Sequence, residues 1–298
     1  MQRRRFLTGI AAGAALTIIP ASAQTPTARP ALLLDRGVVY GEADGQELLL
    51  DVARLPDRES PDPAMIVIHG GFLAVGSRAD IGSIARPLAV AGYVTFNIDY
   101  RLFSEETGSN LWPAQLDDAQ RAVRWVRAHS AEYGVDPDRI GAIGHSAGGQ
   151  LASFLGTRDT RDTSDRTLVD YSSRVQCVVD IAGDVDFSIP FVYENIDALM
   201  AAILGGSREQ PPAEDAYRDF SAITFVDDTS APFLVLHGAR DDLVPVAHSR
   251  RLVEKLHGAG VEVVYAEFPD IDHFGVAQWD LVGSQVLAFL DRHLTPGR

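Results

Sequence analysis

Apolar and polar positions beyond residue 37 follow two different periods. Two short β-like runs, 37–42 and 47–53, flank Asp44-Gly45, the dipeptide that most strongly favours a two-residue hairpin, so an antiparallel pair is expected at the start. The later strand candidates, 64–68, 93–98, 139–143, 176–181, 233–236 and 261–268, are unbroken apolar runs. Such runs suit parallel strands covered on both faces. Between them lie helical patterns. The clearest starts at Pro113, a good first-turn residue, and sets Leu116, Ala119, Val123 and Val126 on one face. Residues 150–155, 245–257 and 276–293 read as further helices. This alternation predicts an α/β fold, a mostly parallel twisted sheet flanked by helices, with ligands at the C-terminal ends of the strands. Residues 183–230 break the rhythm and read as a small cap-like excursion with one helix near 196–204.

Composition narrows the class. The 298 residues are 46% hydrophobic and 22% charged, as in ordinary globular proteins, and are read as one folded domain over 24–298. Lys and Arg number 26 against 41 Asp and Glu, a formal charge of −15 that opposes nucleic acid and anionic membrane surfaces as partners. A single cysteine, Cys177, excludes an internal disulfide or a multi-thiolate metal site and is expected as a small buried hydrophobe. The one lysine, Lys255, follows no glycine and has Leu252 three residues before it, so neither a phosphate-binding loop nor a Ser-x-x-Lys nucleophile is present. The sequence has no His-Glu-x-x-His and no G-x-G-x-x-G; no metal and no cofactor is expected.

Residues 1–23 stand apart. They contain no acid, begin with Arg3-Arg4-Arg5-Phe6-Leu7, continue through an apolar run of about a dozen residues and end in Ala21-Ser22-Ala23. A spanning helix needs roughly 20 apolar residues, so this is read as a removable export signal, with no stable membrane insertion afterwards. The arginine pair before Phe-Leu resembles a twin-arginine signal, although Gln2 stands where Ser or Thr is usual. The periplasm or the outside of the cell is the expected location.

The chemistry centres on Gly144-His145-Ser146-Ala147-Gly148, a G-x-S-x-G between a predicted strand and a predicted helix. Small residues on either side let the chain turn sharply and present Ser146 at a helix N-terminus, where backbone N–H groups favour a developing anion. Serine needs a base, and the base an orienting carboxylate, in the chain order Ser, acid, His. His248 and His257 fall within one helix pattern and His293 ends another, so surface or capping roles are expected of them, whereas His273 stands in the loop after the last strand and is the expected base. The acid lies in Arg240-Asp241-Asp242, and spacing does not separate the two aspartates. His69-Gly70-Gly71-Phe72 follows the first parallel strand, where its N–H groups would join that of Ala147 as oxyanion donors. Asp184 and Asp186 are expected in turn or capping roles, with substrate contact as the alternative.

Together with Trp112-Pro113-Ala114-Gln115-Leu116-Asp117-Asp118 and Tyr133-Gly134-Val135-Asp136-Pro137, these motifs resemble the α/β-hydrolase fold esterases over about residues 47–292. The likeness is to the branch related to hormone-sensitive lipase and to bacterial feruloyl and acetylxylan esterases. The resemblance implies Ser146 as nucleophile, His273 as base, Asp241 as acid, and the N–H groups of Gly71, Phe72 and Ala147 as oxyanion donors. Asp241 takes the acid role because it fills the fifth position of an H-G-x-x-D-x-x-V-P string. Phe72 replaces a common glycine and places a ring beside the acyl site. A carboxylic-ester hydrolase acting on short acyl or aromatic esters, small-molecule or carbohydrate-linked, is the leading expectation. An amidase or peptidase with the same triad and a non-catalytic binding protein are the alternatives. Oligomeric state is not readable from the sequence.

One export test follows. Replacing Arg3 and Arg4 with lysine should strand the precursor in the cytoplasm, because the twin-arginine route reads that pair. A normal periplasmic yield on fractionation would refute the route.

Overall fold

Strands β1 (Leu33–Ala43) and β2 (Gln46–Arg54) form the expected hairpin, with Asp44 and Gly45 both left-handed at φ 52° and 74°, as a two-residue primed turn requires. On β2, Leu48, Leu50 and Val52 turn inward on alternate positions. The computed structural model describes residues 31–56, 61–160, 163–207 and 209–295; the export signal expected over 1–23 lies outside them.

The remaining strands are β3 (Asp62–Ile68), β4 (Val94–Ile98), β5 (Val135–His145), β6 (Cys177–Ile181), β7 (Phe233–Gly238) and β8 (Val263–Phe268). The eight form one sheet in the order β1-β2-β4-β3-β5-β6-β7-β8, antiparallel from β1 to β4 and parallel from there on. All seven residues of β3 are buried, as expected of an unbroken apolar run covered on both sides. Its Ile66 and Ile68 join one core with Leu116, Val123, Leu151 and Leu252, while Met65 and Val67 face a second core with Leu88, Val286 and Leu290. Cys177 lies fully buried in that second core, and burial pushes its thiol well above the ordinary range.

Eight helices accompany the sheet among the described residues: α1 (Gly82–Val90), α2 (Ala114–Ala128), α3 (Ser130–Tyr133), α4 (Ala147–Thr157), α5 (Glu194–Ile203), α6 (Glu214–Phe220), α7 (Ala247–Gly258) and α8 (Trp279–Leu294). The expected Pro113 start is displaced by one position, since Pro113 is the residue before the first turn of α2. The 183–230 excursion holds two helices, α5 and α6, where one was expected, followed by a 3-10 turn (Ala222–Phe225). It packs inward: Phe220 is fully buried, its ring 4.1 Å from Phe187 and 4.8 Å from Trp112.

That packing corrects one expectation. His248 is fully buried on α7 beside Phe191, at 5.7 Å between rings, and its Nδ1 accepts from the Asp186 N–H at 3.2 Å. Burial pushes this imidazole down to about 4. His257 is exposed as expected, and His293 is half-buried against Phe289.

The chain leaves β3 for β4 on one side and then crosses to β5 on the other, so the strand order reverses at β3. Crevices in open α/β sheets form at such a reversal, beyond the strands' C-terminal ends. Because Ile68 is paired with Gly144, His69 and His145 leave the sheet as neighbours. The helix following β5 sits against them closely: a Cβ on Gly148 would lie 2.2 Å from the Ile68 carbonyl oxygen. Gly148→Ala should therefore overpack backbone against backbone, costing about 2–3 kcal/mol and some 5–10 °C in Tm. Gly258→Ala, which meets nothing within 4 Å, should leave Tm almost unchanged. Calorimetry showing equal effects at both positions would contradict this account.

Candidate active site

Ser146 stands between the end of β5 and the first residue of α4, with φ 58° and ψ −127°. A non-glycine residue held at positive φ stores strain, and the surroundings must hold it there. Here the Ser146 N–H is tied to the Ile181 carbonyl at 2.9 Å. The helix that follows contributes its unsatisfied first-turn N–H groups, that of Ala147 among them.

The loop leaving β3 forms the facing wall. Gly71 adopts φ 113°, and a Cβ there would lie 2.0 Å from the Val75 carbonyl oxygen, so only glycine fits. The Gly71 carbonyl accepts from the N–H groups of Ala74 and Val75, both at 3.0 Å, while Phe72 and Leu73 are also left-handed. Beneath the loop, Tyr100 stacks on His69 at 4.3 Å and donates its hydroxyl to the His69 carbonyl at 3.0 Å. Among the described residues the N–H groups of Gly71 and Phe72 have no protein acceptor. They are spare donors at the wall of a cavity.

His273 and Asp241 are brought together. The His273 Nδ1–H donates to Asp241 Oδ2 at 2.6 Å, and the other carboxylate oxygen accepts from the N–H groups of Leu243 at 3.0 Å and Val244 at 2.8 Å. Burial acts to raise the Asp241 carboxyl, but hydrogen bonds from His237, His273 and the backbone outweigh it and hold the group well below the usual carboxylate range. Asp242 turns out to solvent, with the Tyr193 hydroxyl 3.5 Å from its Oδ2. Of the two adjacent aspartates, only Asp241 touches His273.

Two neighbours add to the site: His145, to which the sequence assigned no role, and Asp184, expected in a turn or cap. His145, the variable residue of the G-x-S-x-G, lies with its ring 4.6 Å from that of His273 and donates Nε2–H to the His273 carbonyl at 2.8 Å. Burial, helped by the adjacent His273, pushes the His145 imidazole down to about 4. Asp184 is buried just beyond β6, and burial pushes its carboxyl up to about 7. Asp186 fills the expected turn role, accepting from the Ser188 N–H at 3.0 Å, and adds an ion pair with Arg251 at 2.9 Å.

Ser146, His273, Gly71 and Phe72 line one cavity of about 390 Å³, with Val75 and Phe274 at 61% and 66% exposure on its rim. A hydroxyl, an imidazole whose Nδ1 is already engaged by a carboxylate, and spare N–H donors are the parts that acyl transfer requires.

Comparison with known proteins agrees with the architecture. A family model described as BD-FAE matches residues 50–256. The chain is 33% identical over 257 residues to the probable carboxylic ester hydrolase LipM of Mycobacterium tuberculosis, and 34% identical over 245 residues to the esterase LipC of the same organism. These alignments take in 84% and 80% of this chain but only 57% and 59% of the relatives, so the chain spans somewhat over half their length. Among solved structures, a truncated carbohydrate esterase from gut microbiota superposes with a TM-score of 0.74 at 25% identity, covering 88% of this chain and 96% of that one. The propionate-bound esterase Est2 of Thermogutta terrifontis gives 0.71 at 25% identity, covering 92% and 99%. With the family match extending over more than half of its residues, on an eight-stranded sheet of the corresponding kind, the chain belongs to the BD-FAE family of α/β-hydrolases.

Proposed function

We propose that this protein is an exported serine carboxylesterase, residues 1–23 being its export signal and 24–298 its hydrolase domain. Ser146 is the nucleophile, His273 the base, Asp241 the acid, and the N–H groups of Gly71, Phe72 and Ala147 receive the oxyanion. The observation that carries this reading is the 2.6 Å bond from His273 to buried Asp241, beside a serine on a left-handed turn that opens on the same cavity. The names of the relatives, carboxylic ester hydrolase and esterase, support it.

The chemistry follows from the hydrogen bonds. Since Asp241 engages Nδ1–H, the Nε2 of neutral His273 carries the free lone pair and takes the Ser146 proton as the hydroxyl oxygen attacks the ester carbon. Charge gathers on the carbonyl oxygen, against the loop and helix donors. The C–O bond to the alcohol breaks as His273 returns the proton to the leaving oxygen, leaving an acyl-serine. Water then repeats the sequence and frees the acid. An ionised Asp241 stabilises the imidazolium in both halves.

The substrate is a short acyl or aromatic ester of a small-molecule or carbohydrate alcohol. A cavity of about 390 Å³ with Phe72 on its wall has room for a small acyl group and an open rim for a bulkier alcohol. The likeness to a carbohydrate esterase supports the second half.

Two sets of measurements test these proposals. Ser146→Ala and His273→Ala should each lower kcat by about 10,000-fold or more, and together little further, because the residues act as a unit. Asp241→Asn should cost about 10,000-fold and Asp242→Asn less than about threefold. Multiplicative losses, or the reverse order at the aspartates, would remove the assignment. Across p-nitrophenyl esters from acetate to palmitate, kcat/KM should peak at six carbons or fewer, as each further methylene finds no burial worth the usual ~0.8 kcal/mol. A peak at ten or more carbons, or a jump in rate at the micelle threshold, would overturn the substrate reading.

A further inference from the structure

Asp241 is held by a second histidine. His237, the fifth residue of β7, has a fully buried side chain whose Nε2 lies 3.1 Å from Asp241 Oδ2, the same oxygen that accepts from His273. That nitrogen also lies 3.0 Å from the Val244 carbonyl, and Nδ1 lies 2.7 Å from the Ser249 hydroxyl on α7. The partners place one proton. A carbonyl and an ionised carboxylate can only accept, so Nε2 carries a proton, and the Ser249 hydroxyl holds the ring from its Nδ1 side.

We propose that His237 is a positioning residue for the acid: it aims the Asp241 carboxylate and shares its charge through the oxygen that also holds His273, while Ser249 holds the His237 ring from its Nδ1 side. The inference rests on the proposed roles of Asp241 and His273. With His237 in place, part of the carboxylate's hydrogen-bonding capacity is spent on the His237 N–H, so Asp241 attracts the His273 imidazolium less strongly than it would alone. Without it, His273 holds its proton more tightly and acts as a base only at higher pH. The other titratable groups in electrostatic reach of His237 are His145 at the end of β5, Asp180 on β6, His248 on α7 and Glu267 on β8. None of these supplies a hydrogen bond to Asp241. Besides His273, the side chain that reaches Asp241 Oδ2 is that of His237, whose Nε2–H is shared with the Val244 carbonyl.

The test compares pH profiles of kcat/KM for His237→Phe, His237→Gln and Ser249→Ala in the full chain. His237→Phe should lower kcat at least tenfold with KM nearly constant and move the acid limb up by half a pH unit or more. His237→Gln, whose amide N–H can replace Nε2–H, should recover most of the rate and the original limb. Ser249→Ala should move the limb in the same direction by less, and it carries the test if His237→Phe does not fold. In an Asp241→Asn background, His237→Phe should add less than about twofold to the loss. An unmoved acid limb in both His237→Phe and Ser249→Ala, or losses that multiply with Asp241→Asn, would overturn the inference while leaving the triad intact. Full activity in Asp241→Asn alone would instead overturn the triad and the inference with it.

Discussion

The site depends on one backbone contact, between the Ile68 carbonyl that ends β3 and Gly148 in the first turn of α4. No side chain fits between them. Because β3 and β5 are parallel and in register at Ile68 and Gly144, the loop and the serine turn leave the sheet together, and the contact then fixes their separation. Donors from two segments distant in sequence thereby hold one geometry before any substrate arrives. The proposed oxyanion role requires such preorganisation, since nothing then has to be ordered during the reaction. The left-handed conformations of Gly71, Phe72 and Ser146 are maintained by the same rigid frame.

The second constraint is the burial of a charge. A carboxylate removed from water survives only if its lone pairs are occupied. Asp241 meets that condition with two backbone N–H groups on one oxygen and, on the other, the His273 imidazole and the His237 Nε2–H that is shared with the Val244 carbonyl. The turn 241–244 is wound so that Asp241 accepts from its own following backbone, which aims Asp242 outward. Backbone winding, not intrinsic chemistry, separates two identical neighbours.

Much of this was legible in the sequence because it is local. Asp44-Gly45 marked the hairpin, unbroken apolar runs marked the parallel strands, and the small residues around Ser146 marked the turn; each signal sits within a few residues of what it specifies. Helix α1 leaves no clear sequence pattern because Pro87 interrupts it, and α6 leaves none because only Phe220 of its seven residues is buried. The burial of His248 is hidden from the sequence for a different reason. It lies on the same stripe of α7 as Leu252 and Leu256, but its cover comes from Phe187 and Phe191, far away in the chain. The choice between Asp241 and Asp242 likewise turned on partners from β7 and the β8–α8 loop, which spacing does not encode and only the family likeness suggested.

His145 carries a consequence for the charge traffic at the site. Its ring lies against that of His273, so if both could be cations at once, every proton arriving on His273 would meet like-charge repulsion at close range. With its imidazole pushed down to about 4, His145 is a neutral aromatic surface throughout the neutral and mildly acidic range. It can therefore anchor the His273 backbone and pack against its ring without opposing the positive charge that the proposed mechanism places there. The residue beside Ser146 is thus a histidine that serves through its shape and its single N–H, while the proposed mechanism needs only the other imidazole, which faces Asp241.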